Sequence, residues 1–208
     1  TLSRDGYLMH KYQPDRAIGS TWHPLVHENR KELAIQEDET ASVINMLVEY
    51  LDYSKDDEFV HSLYTTLIQP ASNFMANFID DATNLPHASY DLWEEKFLSH
   101  TYTATLTIGA LVRAAEFASK FDYPDDEVKW LNAAERIQSG LELLFDPDRQ
   151  TYRKGLIIQD DGSLKFDNTI DISSLYGVVM YTDIKLDSPK ILNALRSVET
   201  FLLGNNDI

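Results

Sequence analysis

Residues 99–118 constrain the fold most, because they are small or apolar on two faces at helical spacing. Thr103, Thr107, Ala110 and Ala114 form one stripe, small enough for another helix to approach closely. Ile108, Leu111, Val112 and Ala115 form a second. A helix with one apolar stripe rests on a core, whereas a helix with two must be covered on both sides. The pattern predicts an inner helix in a layered helical domain. Its partner is predicted over residues 125–145, with Val128, Leu131, Ala134, Ile137, Leu141 and Leu144 turned inward.

The helical period recurs along the chain. Asp38 reads as the cap of a helix with Val43, Ile44, Leu47, Val48 and Leu51 on one face. Residues 57–79 keep the period through Val60, Tyr64, Ile68, Ala71 and Met75, straight across Pro70, which predicts one long helix kinked at the proline. Asp171 reads as a cap ahead of Leu175, Val178 and Val179, and Pro189 opens a last helix with Ile191, Leu195 and Val198. About six substantial helices result, so the class is all-α, with short β-hairpin excursions. Residues 5–27 carry Gly6, Pro14, Gly19 and Pro24 and read as short strands and turns. Residues 151–158 and 163–166, around Asp160-Asp161-Gly162, read as a hairpin. No internal repeat, linker or low-complexity run divides the 208 residues, so one domain is expected.

One loop carries chemistry. Asp91-Leu92-Trp93-Glu94-Glu95 sets an aromatic ring among three carboxylates just before the two-faced helix. Glycoside hydrolysis needs a carboxylic acid to protonate the leaving oxygen, and a ring beside it favours the protonated form and gives a sugar a face to stack on. Trp93 and Glu94 could supply those parts, with Glu95 and Asp91 accepting hydrogen bonds from sugar hydroxyls. The same residues also read as a helix start, with Asp91 as cap and Glu94 and Glu95 in a first turn whose dipole favours anions.

Ser89-Tyr90-Asp91-Leu92-Trp93-Glu94-Glu95, followed by His100-Thr101-Tyr102-Thr103 and Gly109-Ala110-Leu111, resembles the signature of glycoside hydrolase family 15, the glucoamylases and glucodextranases. Gln36-Glu37-Asp38-Glu39-Thr40 resembles a second string of that family, at the mouth of the barrel, and Trp22-His23-Pro24 a third. The resemblance implies part of an (α/α)6 toroid, a six-hairpin barrel, over residues 1–208, with N-terminal and C-terminal parts of the catalytic domain outside. It implies Glu94 as general acid, with Glu95, Trp93, Asp91, Gln36, Asp38 and Trp22 toward substrate. The activity implied is inverting, exo-acting release of glucose from the non-reducing ends of α-glucan or oligosaccharide. Trehalase-type cleavage and a non-catalytic carbohydrate-binding helical protein are alternatives. The family's upstream string ending in Arg-Asp and its downstream Glu base are not matched, so the chain is expected to be inactive alone. Lys96-Phe97-Leu98 and Tyr102 depart from the family's usual residues, which leaves the linkage open.

Acids outnumber Lys plus Arg by 34 to 18, a formal charge of -16, which argues against nucleic acid or an anionic membrane and is compatible with a neutral sugar. No Cys is present, so thiolate chemistry is excluded and a cytoplasmic setting is expected. No apolar run of membrane-spanning length and no signal-like start are seen. No cofactor is implied and no metal is expected. Pro24 stands between His23 and His27, and the acids of residues 146–151 lack the Gly and Glu that a calcium loop requires.

Overall fold

A computed structural model describes residues 2–19, 26–27, 29–31 and 33–204. Two strands come first, β1 (Val26–His27) and β2 (Arg30–Lys31), paired antiparallel. They lead into α1 (Glu37–Ser54), α2 (Asp57–Ser62) and α3 (Gln69–Asn77). Then come β3 (Ser89–Tyr90), β4 (Phe97–His100), α4 (Thr101–Lys120) and α5 (Pro124–Gly140). After β5 (Phe145–Asp146), β6 (Thr151–Tyr152), β7 (Gly155–Ile158) and β8 (Leu164–Asp167), the chain ends in α6 (Ile172–Tyr181) and α7 (Pro189–Leu203).

The two-faced helix is α4, and it is central. Residues 103–108 are all buried. Helices α1, α3, α5 and α6 all pack on α4. Small residues set the spacing: a Cβ on Gly177 of α6 would lie 2.2 Å from Thr105 Oγ1, so only glycine lets these helices meet this closely. The main core fills the space among α1, α3, α4 and α5, with Trp130 fully buried and its indole N–H donating to Asn73 Oδ1 at 3.1 Å. A smaller core joins Tyr152, Leu175, Val178, Ile191, Ala194 and Val198 beneath α6 and α7. No helix among the described residues is long and apolar enough to cross a membrane.

Three local expectations are corrected. The predicted helix over residues 57–79 does not run through to a kink at Pro70. It stops at Leu63, continues as a π-helical turn over Tyr64–Ile68, and restarts as α3 with Pro70 in the first turn, where a missing N–H is no loss. Asp38 is not a cap: Gln36 holds that position, and Asp38 is buried inside the first turn of α1, where the positive end of the dipole meets three consecutive acids. Residues 151–158 are not one strand. β6 pairs with β5, the chain turns at Arg153-Lys154, and β7 pairs with β4. A Cβ on Gly155 would lie 2.5 Å from Ser99 O, so that crossing also depends on glycine.

The predicted hairpin of β7 and β8 is present, with Ile157 opposite Lys165 and Ile158 opposite Leu164. It is half of a four-stranded antiparallel sheet in the order β3-β4-β7-β8. The other half is the pair flanking residues 91–96. Near the N-terminus, residues 7–12 form no regular strand; Tyr12 and Ile18 make one antiparallel bridge, and Leu8 N–H donates to Thr40 Oγ1 at 2.9 Å, tying this segment to α1. Residues 20–24, including Trp22 and His23, lie outside the described residues.

Candidate active site

Residues 91–96 are the loop of the β3–β4 hairpin, in which Tyr90 pairs with Phe97. They form a turn rather than a helix start. Asp91 builds it: Glu94 N–H donates to the Asp91 carbonyl at 2.9 Å, and Asp91 Oδ1 accepts from Glu95 N–H at 2.7 Å and Lys96 N–H at 3.0 Å. The turn places Glu94 at φ 59°, a left-handed conformation that costs a side-chain-bearing residue about 1–2 kcal/mol. Such strain persists only where the surroundings determine the backbone. Here Tyr90 N–H donates to Ile35 O at 3.0 Å, and Gln36 Nε2 donates to Asp91 O at 2.7 Å, fastening the hairpin to the entry of α1.

Beneath the loop lies a buried ionic group. Lys154 Nζ, at the turn between β6 and β7, sits 2.8 Å from Asp91 Oδ2 and 3.3 Å from Asp171 Oδ2, and all three side chains are largely buried. Asp171 caps α6 by accepting from Ser173 N–H and Oγ, and it also accepts from the Trp93 indole N–H at 2.8 Å. Burial pushes the Asp91 carboxyl up, but Lys154 and the N–H groups of Lys96 and Glu95 outweigh it, leaving Asp91 below the usual carboxylate range. Asp171 is lowered in the same way, burial being outweighed by Ser173, Trp93 and Lys154. Lys154 is raised, because Asp91 and Asp171 outweigh its own burial. His100, buried next to this group, is pushed down to about 4 by burial and, to a smaller degree, by the Lys154 cation, so it is neutral and its Nε2 lies 3.1 Å from Lys96 O.

The outer side of the loop carries Trp93, Glu94 and Glu95. Trp93 is 53% exposed, so its ring face is open while its N–H is tied down. Glu94 Oε1 lies 2.9 Å from His10 Nε2, and His10 Nδ1 lies 2.5 Å from Glu39 Oε1 in the first turn of α1. Glu95 is exposed, 3.9 Å from Lys154. Next to Glu39 the acids are buried. Burial first, then the charges of Glu39 and Asp91, push Asp38 up to about 7, and burial with the Asp38 charge raises Glu37 well above the usual range. Between loop and α6 there is a gap of only about 10 Å³, lined by Asp91, Trp93, His100, Tyr102, Lys154 and Asp171 among others. A gap of that size holds nothing larger than a water molecule. A cavity of about 830 Å³ between Phe78, His87, Phe97, Ile158 and Lys165 includes none of the predicted site residues.

The structure therefore gathers Asp91, Trp93, Glu94 and Glu95 in one turn, with Gln36 bonded to it and Asp38 on the adjoining helix end. Trp22 is outside the described residues. Asp91, read from the sequence as a sugar contact, is 2% exposed, with its oxygens turned to the loop N–H groups and Lys154. Sequence patterns alone do not single out three groups: His10, Glu39 and Lys154. Tyr152-Arg153-Lys154-Gly155 gives no sign that this lysine is buried, since Lys is nearly always exposed. Among the described residues no three His, Cys, Asp or Glu side chains are grouped as a metal site would need.

The family model of glycosyl hydrolases family 15 matches residues 24–205. Among solved structures, a bacterial glucoamylase complexed with acarbose is similar with a TM-score of 0.61 and 22% identity, covering 80% of this chain and 25% of that one. A rhamnosidase from Klebsiella oxytoca with rhamnose bound is similar with a TM-score of 0.61 and 18% identity, covering 82% of this chain and 32% of that one. The chain thus spans a quarter to a third of the length of these structures. No curated protein sequence matches it. With helices α1, α3, α5 and α6 packed about a central α4, the fold is all-α and forms part of an (α/α)6 toroid.

Proposed function

Because the chain belongs to glycosyl hydrolases family 15, we propose that the protein containing it releases glucose from the non-reducing ends of α-glucans or oligosaccharides by single displacement with inversion. Glu94 is the general acid. Its O–H is given to the glycosidic oxygen as the bond to the anomeric carbon breaks, and water, activated by a carboxylate base outside this chain, attacks the opposite face. Room for that water requires the two carboxyls to stand about 6.5–9.5 Å apart. Trp93, and Trp22 where the chain brings it near, offer stacking faces. Glu95 binds sugar hydroxyls, whereas Gln36 and Asp38, each 3% exposed, support the turn and the end of α1 from within. Asp91 serves the site from below, holding the turn.

The observation that carries this reading is the strained placement of Glu94. A non-glycine residue is held left-handed in a turn cross-linked to α1, β7 and α6, next to an exposed tryptophan whose N–H is immobilised. Rigid support around a reactive side chain is what proton donation in a fixed direction requires. In the full-length protein, Glu94→Gln is expected to lower glucose release from maltooligosaccharides about 10²- to 10⁴-fold with an unchanged unfolding transition. Undiminished turnover would end the assignment, and the anomer first formed, followed by polarimetry or NMR, tests inversion.

A further inference from the structure

Glu94 shares its environment with a histidine that reaches two acids. His10 Nε2 lies 2.9 Å from Glu94 Oε1, and His10 Nδ1 lies 2.5 Å from Glu39 Oε1. One imidazole therefore joins the acid loop to the first turn of α1. The backbone leading to His10 is held as well: Leu8 N–H donates to Thr40 Oγ1 at 2.9 Å, and Met9 N–H donates to the Tyr12 hydroxyl at 2.7 Å. Thus the segment bearing His10 is anchored to the helix turn that also presents Glu39.

This pairing fixes the tautomer. A carboxylate facing Nδ1 accepts an N–H from it, so Nδ1 carries the hydrogen and Nε2 is left to follow the state of Glu94. At rest the protonated Glu94 sets Oε1 2.9 Å from Nε2, and on binding substrate its O–H turns from the ring to the leaving oxygen. When Glu94 is a carboxylate, a protonated ring donates Nε2–H to it. The geometry points to His10 as a positioning residue for the acid step, one that orients the Glu94 carboxyl and remains complementary to it before and after proton transfer. This rests on the reading of Glu94 as general acid. In the step itself the Glu94 O–H bond breaks and its electron pair stays on the carboxylate. The proton forms a bond to the leaving oxygen, which takes the electron pair of the broken bond to the anomeric carbon. Between turnovers the base releases to solvent the proton it took from the attacking water, and a proton from solvent passes through Nε2 to Glu94 Oε1, restoring the acid. Among the described residues, charged groups facing the ring include Glu39 and Glu94, with Asp38 beside Glu39 on α1 and Glu95 beside Glu94 in the loop.

The test uses the full-length protein and two substrates, maltotriose, whose leaving oxygen needs a proton, and α-glucosyl fluoride, whose leaving group does not. His10→Asn is expected to lower kcat on maltotriose about 10- to 100-fold, the range for loss of a group that orients a reactive one, with KM changed less than about twofold. Its alkaline limb of kcat/KM against pH moves, and its loss on the fluoride is at least about tenfold smaller. Glu39→Gln acts in the same direction with smaller effect. Equal losses on both substrates, or a rise in KM alone, would overturn the proposal in favour of a purely structural histidine, as would unchanged kinetics. Glu94→Gln that keeps full activity on maltotriose sinks the acid assignment instead, and the role of His10 with it. A readout independent of turnover is the ring ¹⁵N spectrum. Nδ1 protonation should persist in Glu94→Gln with a displaced Nε2 resonance, and Nε2 signals unmoved by that substitution would refute the contact.

Discussion

Two hairpin loops of the same four-stranded sheet are built in opposite ways. The loop between β7 and β8 closes on itself: Gly162 N–H donates to Gln159 O, Gln159 N–H to Ser163 O, and Ser163 N–H to Asp161 Oδ1. Its left-handed residue is a glycine, Gly162 at φ 79°, where no strain arises. The loop between β3 and β4 puts Glu94 in the left-handed region instead and needs Gln36, Lys154 and Asp171 from three other segments to hold it. A loop that only has to turn can follow local rules. A loop whose left-handed residue carries a side chain draws its stability from the tertiary structure around it.

Removing the shared cation should separate the two most sharply. Lys154→Met leaves Asp91 and Asp171 buried without it, and a loss of about 3–5 kcal/mol is expected in chemical denaturation of the full-length protein. A loss below about 1 kcal/mol would mean that the acid loop is as self-sufficient as the other.

Protonation offers a second contrast. The acids backing the first loop are buried, whereas Asp161 is exposed. Asp38, pushed up to about 7 against an ordinary value of about 3.9, keeps its proton in the folded state where the unfolded chain has released it. Its contribution is therefore full below about pH 4 and is lost as pH rises through about 7, a decline of up to about 4 kcal/mol. Asp91 and Asp171, lowered by their partners, act with the opposite sign: their stabilisation is present above about pH 4 and disappears as pH falls through their folded values. Asp38→Asn should flatten the slope between about pH 4 and 7, and an unchanged slope would remove Asp38 as its source.

The smallest effects test the backbone itself. Gly162→Ala forces a side chain to φ 79° in open space and should cost about 1 kcal/mol. Glu94→Gly relieves the strained turn and gives up the contact to His10. The two nearly cancel, and stability should stay within about 0.5 kcal/mol while glucose release is lost. A large loss of stability in the second variant would show that Glu94 is held for folding and not for chemistry.

The difference between the loops also explains what was legible. Asp160-Asp161-Gly162 announces its turn, so β7 and β8 are found from the residues alone. The doubly apolar period of α4 announces a helix covered on both sides, and burial of residues 103–108 agrees. Residues 57–79 carry the period of one helix, but periodicity is blind to a π turn inserted ahead of Pro70. Asp38 looked like a cap because caps and first-turn acids are the same residue types one position apart. For the site, the string around Trp93 and Glu94 was visible, and its supports were not.

Sequence by itself determined most of the helices, the self-contained hairpin and the family string around Trp93 and Glu94, since each rests on neighbours within a few residues. Only the tertiary structure decided that Asp91 belongs to the scaffold, that Lys154 is the cation beneath it, and that His10 stands between Glu39 and Glu94. Those are contacts between groups far apart in the chain, and an ion pair leaves no periodicity by which either partner could be foreseen.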